Sequence, residues 1–168
     1  MNDILVACFE HNRWANLLLA EACLAVDPAL LEIGLEGTFG PIRATLLHTA
    51  IAEWAYARAL AGEAASGVPR LASGETDLAV IRAMDMAAIR DELAGSGDAM
   101  IAAARTAVAG ATIQIDWDGD GVWRPAPVAF LFVQALDHAK EHRTQVAAIL
   151  TQQGVTPPEM DAWASFGM

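Results

Sequence analysis

The stretch that most limits what this chain can fold into is the apolar-periodic run from about Val128 to Leu150, with Gln134, His138, His142 and Gln145 inside it. Residues four apart on a helix lie ~40° apart around the axis, one turn above the other. His138 and His142 therefore share a face, close enough for both imidazoles to reach one metal ion. At ~100° per residue, Gln134, Gln145, Leu131 and Ile149 fall within ~40° of His138, while Lys140 and Arg143 fall on the far side. The histidine face thus has apolar ends, which is the face a bundle helix buries. A buried stripe of Gln, His, His and Gln is costly unless something satisfies it. It reads as half of a metal site whose third ligand comes from elsewhere.

The remaining pattern is helical too. The chain has 168 residues, 55% of them hydrophobic, with abundant alanine and one tyrosine; this length carries a real core and this composition favours helices. We expect a single domain over 1–168. A first helix runs from Asp3, as its cap, to about Val26, with Asp27-Pro28 closing it. His11 shares a face with Ile4, Ala7, Ala15, Leu18 and Ala22 and so points to the core side, whereas Glu10, Arg13 and Asn16 do not. Pro28 to Phe39 is a connector. Pro41 suits the first residue of a second helix ending near Ala61-Gly62. There His48 sits on a stripe of Ala44, Ala52, Ala55 and Ala59, with Arg43 and Glu53 pointing away. Small neighbours let a facing helix approach and leave room around the imidazole.

Residues 63–76 are loop-like and long for a bundle connection. A third helix begins at Asp77 or Asp85 and reaches about Val108, with Gly95-Ser-Gly97 arguing against its continuity. Thr112–Trp117 alternates and precedes Asp118-Gly, which marks a small β-hairpin before the last helix. Asp116-Trp-Asp118-Gly-Asp120-Gly121 opens like a calcium loop, but its twelfth position is Pro127, so a hairpin turn is the better reading. The acidic, aromatic tail from Glu159 to Trp163 is expected to pack across the bundle.

Several function classes are disfavoured. The formal net charge is −11, and nucleic acid or an anionic membrane needs clustered Lys and Arg. No apolar run is long enough to span a bilayer, and the start lacks a basic secretory signal. Cys8 and Cys23 would lie ~22 Å apart on one helix and cannot pair within it. They read as two buried thiols of a reduced, cytoplasmic protein. No nucleophile–histidine–carboxylate arrangement stands out. The histidines serve better as ligands: His48 with His138 and His142 gives three neutral imidazoles, a set suited to Zn²⁺ or Ni²⁺ with positions left open. Gln134 and Gln145, and more weakly His11, are candidates to orient ligands or hold water beside the ion.

Four stretches, in order and spacing, resemble the DinB/YfiT-like superfamily: His11-Asn-Arg-Trp-Ala-Asn16; Pro41-Ile-Arg-Ala-Thr-Leu-Leu-His48 with Glu53-Trp54; Asp137-His138-Ala-Lys-Glu-His142-Arg-Thr-Gln145; and Pro157-Pro-Glu-Met-Asp161-Ala-Trp163. The resemblance implies an all-α, up-down-down-up four-helix bundle, often a homodimer. It implies a divalent metal at positions that map onto His48, His138 and His142. It also brings in enzymes that use low-molecular-weight thiols for S-transfer or isomerisation, beside members without a known reaction. The expectation is a metalloenzyme activating a thiol or water on a small-molecule substrate. Its rivals are a non-catalytic, stress-associated binding or dimerisation module with a structural or absent metal, and a metal-free ligand carrier.

Overall fold

The structure, a computed structural model, describes residues 2–63, 70–116, 120–165 and 167. Four long helices carry it: α1 (Asp3–Leu24), α2 (Ile42–Leu60), α4 (Met86–Thr106) and α5 (Val128–Gln152). A short α3 (Leu78–Arg82) precedes α4, and α6 (Ala162–Ser165) closes the chain. A hairpin of β1 (Thr112–Ile115) and β2 (Arg124–Pro127) pairs Thr112 with Pro127 and Ile115 with Arg124, antiparallel, just before α5. Its Asp118-Gly119 turn, and half of the calcium-like motif, lie outside the described residues.

Each long helix packs against two others, α1 and α2 each touching both α4 and α5. Contacting pairs give the directions. Arg13 meets Asp98 and Arg90 meets Glu21, so α1 and α4 are antiparallel. Glu53 meets Ser96, and a groove lined by Trp54 and Leu60 is also lined by Ala99 and Thr106, so α2 runs with α4. His48 meets His138 and Tyr56 meets Gln134, so α5 runs against α2. The order is up-down-down-up, as the resemblance implies. The apolar core falls into two clusters. One gathers Leu19, Ile42, Leu46, Leu93 and Ile149; the other gathers Phe9, Tyr56, Met100 and Leu131.

Local chemistry explains the boundaries. Asp77 and Asp85 both act as caps, accepting the backbone N–H groups of Ala79 and Ala88, so both candidate starts of the third helix exist, for α3 and α4. Asn2 rather than Asp3 precedes α1, and its amide donates to the carbonyls of Arg105 and Ala107 at the end of α4. The connector after α1 contains a 3₁₀ turn over Pro28–Glu32, with Pro28 fixing its first φ.

Gly95 and Gly97 do not break α4. They make room. A Cβ on Gly97 would lie 2.6 Å from Cγ of Arg13, and one on Gly95 would lie 3.0 Å from the Trp54 ring. The apparent breakers are where α1 and α2 come closest to α4. Cys23 is buried, as expected, but Cys8 is exposed, because the core face of α1 runs through Phe9, Asn12, Ala15 and Asn16 instead. In the tail, Met160 packs on the core, while Trp163 stays 66% exposed. No helix among the described residues is long and apolar enough to cross a membrane.

Candidate metal centre

α2 and α5 present three imidazoles to one point. Nε2 of His138 lies 3.1 Å from Nε2 of His48 and 3.1 Å from Nε2 of His142. One nitrogen from each ring lies within 4.8 Å of the other two. The helix spacing brings His138 and His142 together, and the small residues along α2 allow α5 to come near His48, with Ala52 buried in that interface.

The hydrogen bonds set the protonation pattern. Gln145 Oε1 lies 3.0 Å from Nδ1 of His142 and accepts the Phe39 backbone N–H at 3.0 Å, while its Nε2 donates to Glu141. An amide oxygen only accepts, so Nδ1 of His142 carries the proton and its Nε2 is a bare lone pair facing His138. The single in-plane site on His138 Nε2 cannot satisfy two neighbouring rings as well. Burial, and then the neighbouring imidazoles, lower His48 to about 4, and burial with the His142 charge lowers His138 to about 4. The His48 and His138 rings are therefore neutral at neutral pH.

Converging imidazole nitrogens, two of them on rings that resist protonation, fit a cation. With Zn–N distances of about 2.0–2.1 Å, two ligand nitrogens are about 2.9 Å apart at a right angle and about 3.3–3.4 Å apart at a tetrahedral angle. The observed 3.1 Å falls between. Phe39 stacks on His48, with centroids 4.1 Å apart and planes 15° apart, and covers one side. On another side His48 and His138 open onto a cavity of about 500 Å³ whose walls include Tyr56, Ile115, Phe130 and Gln134. Gln134 hydrogen-bonds Tyr56, whose hydroxyl is raised above its ordinary value by burial. Gln145 therefore orients the His142 ring, while Gln134 is placed on the cavity wall.

His11 is placed elsewhere. It neighbours Trp14, Arg143 and Asp161, and no described contact joins it to the three histidines. Glu53, Asn16 and Arg143, expected to face away, are buried. The Arg143 Nη1 donates to Oδ1 of Asn12 and of Asn16 at 2.6 Å each. Both asparagine amides donate on to Glu53 Oε1, at 2.8 and 2.9 Å, and Ser96 donates to Oε2 at 2.8 Å. Burial raises Glu53, opposed by these donors and by Arg143. Burial lowers Arg143 to about 10. The asparagines thus link a buried guanidinium, on the residue that follows His142, to a buried carboxyl group. The available signal was Asn12 and Asn16 one turn apart among apolar neighbours.

This is a helical bundle whose second and last long helices hold a three-histidine pocket able to bind a metal. A family model described as the DinB family matches residues 1–166, and the chain belongs to that family. No curated protein matches it.

Proposed function

We propose that the protein is a cytoplasmic, homodimeric metalloenzyme that holds one Zn²⁺ or Ni²⁺ ion through His48, His138 and His142 and acts on a small molecule with water or a low-molecular-weight thiol. The carrying observation is three imidazoles converging beside an open cavity. Bound there, a divalent ion supplies Lewis acidity, lowering the pKa of water or a thiol and polarising a carbonyl.

The chain's own groups divide the remaining work. Gln145 keeps the His142 lone pair turned inward by accepting the Nδ1 proton. Phe39 excludes water from one face of His48. Ile115 and Phe130 offer an apolar bed to a substrate body, and the Tyr56–Gln134 pair offers the polar contact. Among the described residues three candidate ligands rather than four gather here, which favours a reactive over a structural ion.

Elemental analysis of untagged protein, with His138→Ala beside it, tests the ligand set. Near-stoichiometric metal in the wild type and none in the variant is expected; equal metal in both refutes it. Activity of the reconstituted protein that depends on added thiol selects S-transfer or isomerisation. Hydrolysis without thiol selects water. Metal retained with neither activity selects the non-catalytic module, and absence of metal from the wild type the ligand carrier.

A further inference from the structure

A second cavity, of about 600 Å³, lies between α1, α5 and the C-terminal segment and shares no wall residue with the histidine cavity. Its wall carries nitrogen groups short of partners. Arg143 uses Nη1 on the two asparagines, but its Nε and Nη2 hydrogens meet no acceptor among the described residues. Arg143 is only 9% exposed, yet neither nitrogen is sealed from water, so both donors are open to a ligand.

His11 also lines this cavity, and its Nδ1 is shut away from water with no partner. A sealed lone pair costs less than a sealed N–H, so the neutral ring keeps its proton on Nε2 and offers a donor there. Burial and the Arg143 charge both lower the His11 pKa, which favours that neutral form.

Lys140 adds a second cation and Asp161 the single carboxylate, whose Oδ1 caps α6 through the Ala164 N–H. On the wall itself two cations face one carboxylate, and Glu53 answers Arg143 only through the asparagines, on a chain of net charge −11. The rest of the wall is largely apolar, including Leu136, Ala147 and Met160. The volume is in the range of small-molecule sites. One surplus charge beside an apolar bed suits a singly charged head on an organic body better than a doubly charged inorganic anion.

We propose that this cavity is a second ligand site, selective for a small organic carboxylate whose acid group lies against Arg143 and Lys140 and whose apolar body rests on Leu136, Ala147 and Met160. It stands apart from the metal reading and holds with or without an ion at the histidines.

The test is a benzoate titration followed by long-range ¹H–¹⁵N spectra of the four histidines, on metal-free and zinc-loaded protein. A saturable shift of His11 is expected, with His48, His138 and His142 unmoved, no response to benzyl alcohol and a weaker one to inorganic phosphate. Lys140 and Asp161 are exposed, so their variants keep the fold. Lys140→Ala should weaken benzoate about threefold to fivefold, and Asp161→Asn should tighten it by a similar factor. The proposal is overturned if His11 does not move in folded protein, or if the three clustered histidines move in its place. It is equally overturned if phosphate matches benzoate, or if neither variant alters the midpoint.

Discussion

Replacing Gln145 with leucine removes one oxygen that serves two donors, Nδ1 of His142 and the Phe39 backbone N–H. Phe39 is half exposed and water replaces its bond. His142 is only 5% exposed, so its Nδ1 proton has nowhere to go. The cheaper course is a change of tautomer: the proton moves to Nε2, 3.1 Å from Nε2 of His138. That ends the inward-facing lone pair. Metal binding must then reverse the tautomer and strand a buried N–H, a cost of about 1–3 kcal/mol. This corresponds to roughly 5-fold to 150-fold in affinity, in line with the ~10–100-fold seen when a group that orients a metal ligand is lost. Zinc competition against a chromogenic chelator reads it directly. Gln145→Glu keeps an acceptor at the same place and should bind zinc at least as tightly as the wild type. A folded leucine variant with unchanged zinc affinity would refute the tautomer argument.

Three further outcomes are expected. Glu53→Leu strands three donors and leaves Arg143 buried without its counter-charge, a loss of about 3–5 kcal/mol; at about 2–4 °C per kcal/mol, the melting temperature drops by roughly 6–20 °C, and an unchanged melt would remove the network from the account. Gly97→Ala gains about 1 kcal/mol of helix propensity but drives a methyl into Arg13, an overpacking cost of about 1–3 kcal/mol; urea unfolding should show a net loss, and a stabilised variant would mean that α1 yields easily. Metal-free protein should lose stability in acid. His48 and His138 fall from 6.5 to about 4 on folding, so between those values the unfolded chain binds more protons than the native one. Their contribution is complete above about pH 6.5 and lost as the pH drops toward 4; a melting temperature flat from pH 7 to 5 would contradict this.

The histidine cluster was legible because its information is local. Four-residue spacing places His138 and His142 on one face, and an alanine stripe marks His48 as facing a close neighbour. The hairpin was legible from alternation. The buried network was not, and the reason is particular. The face of α1 was set from His11, which lies at the edge of the core rather than its centre, and that rotated Asn16 outward and left Asn12 unassigned. Helical phase counted from the histidines put Arg143 and Glu53 on outward faces, yet each is acceptable in the interior because the asparagines link them. Gly95 and Gly97 looked like breakers because propensity knows nothing of Arg13 and Trp54 across the interface. Phe39 carried no signal, since its place over His48 depends on a connector docking onto Gln145, 106 positions away.

The Asn12–Asn16–Glu53–Ser96–Arg143 assembly takes at least one member from each long helix. Greasy surfaces rich in alanine are nearly featureless and can slide or turn past one another at little expense. Directional bonds cannot. Were the last long helix to turn by a single residue, about 100°, the guanidinium would leave both of its amide acceptors, and the adjoining imidazole would swing off target with it. The interior polar knot therefore works as a locating pin, and the aim of the ligand cluster is inherited from it.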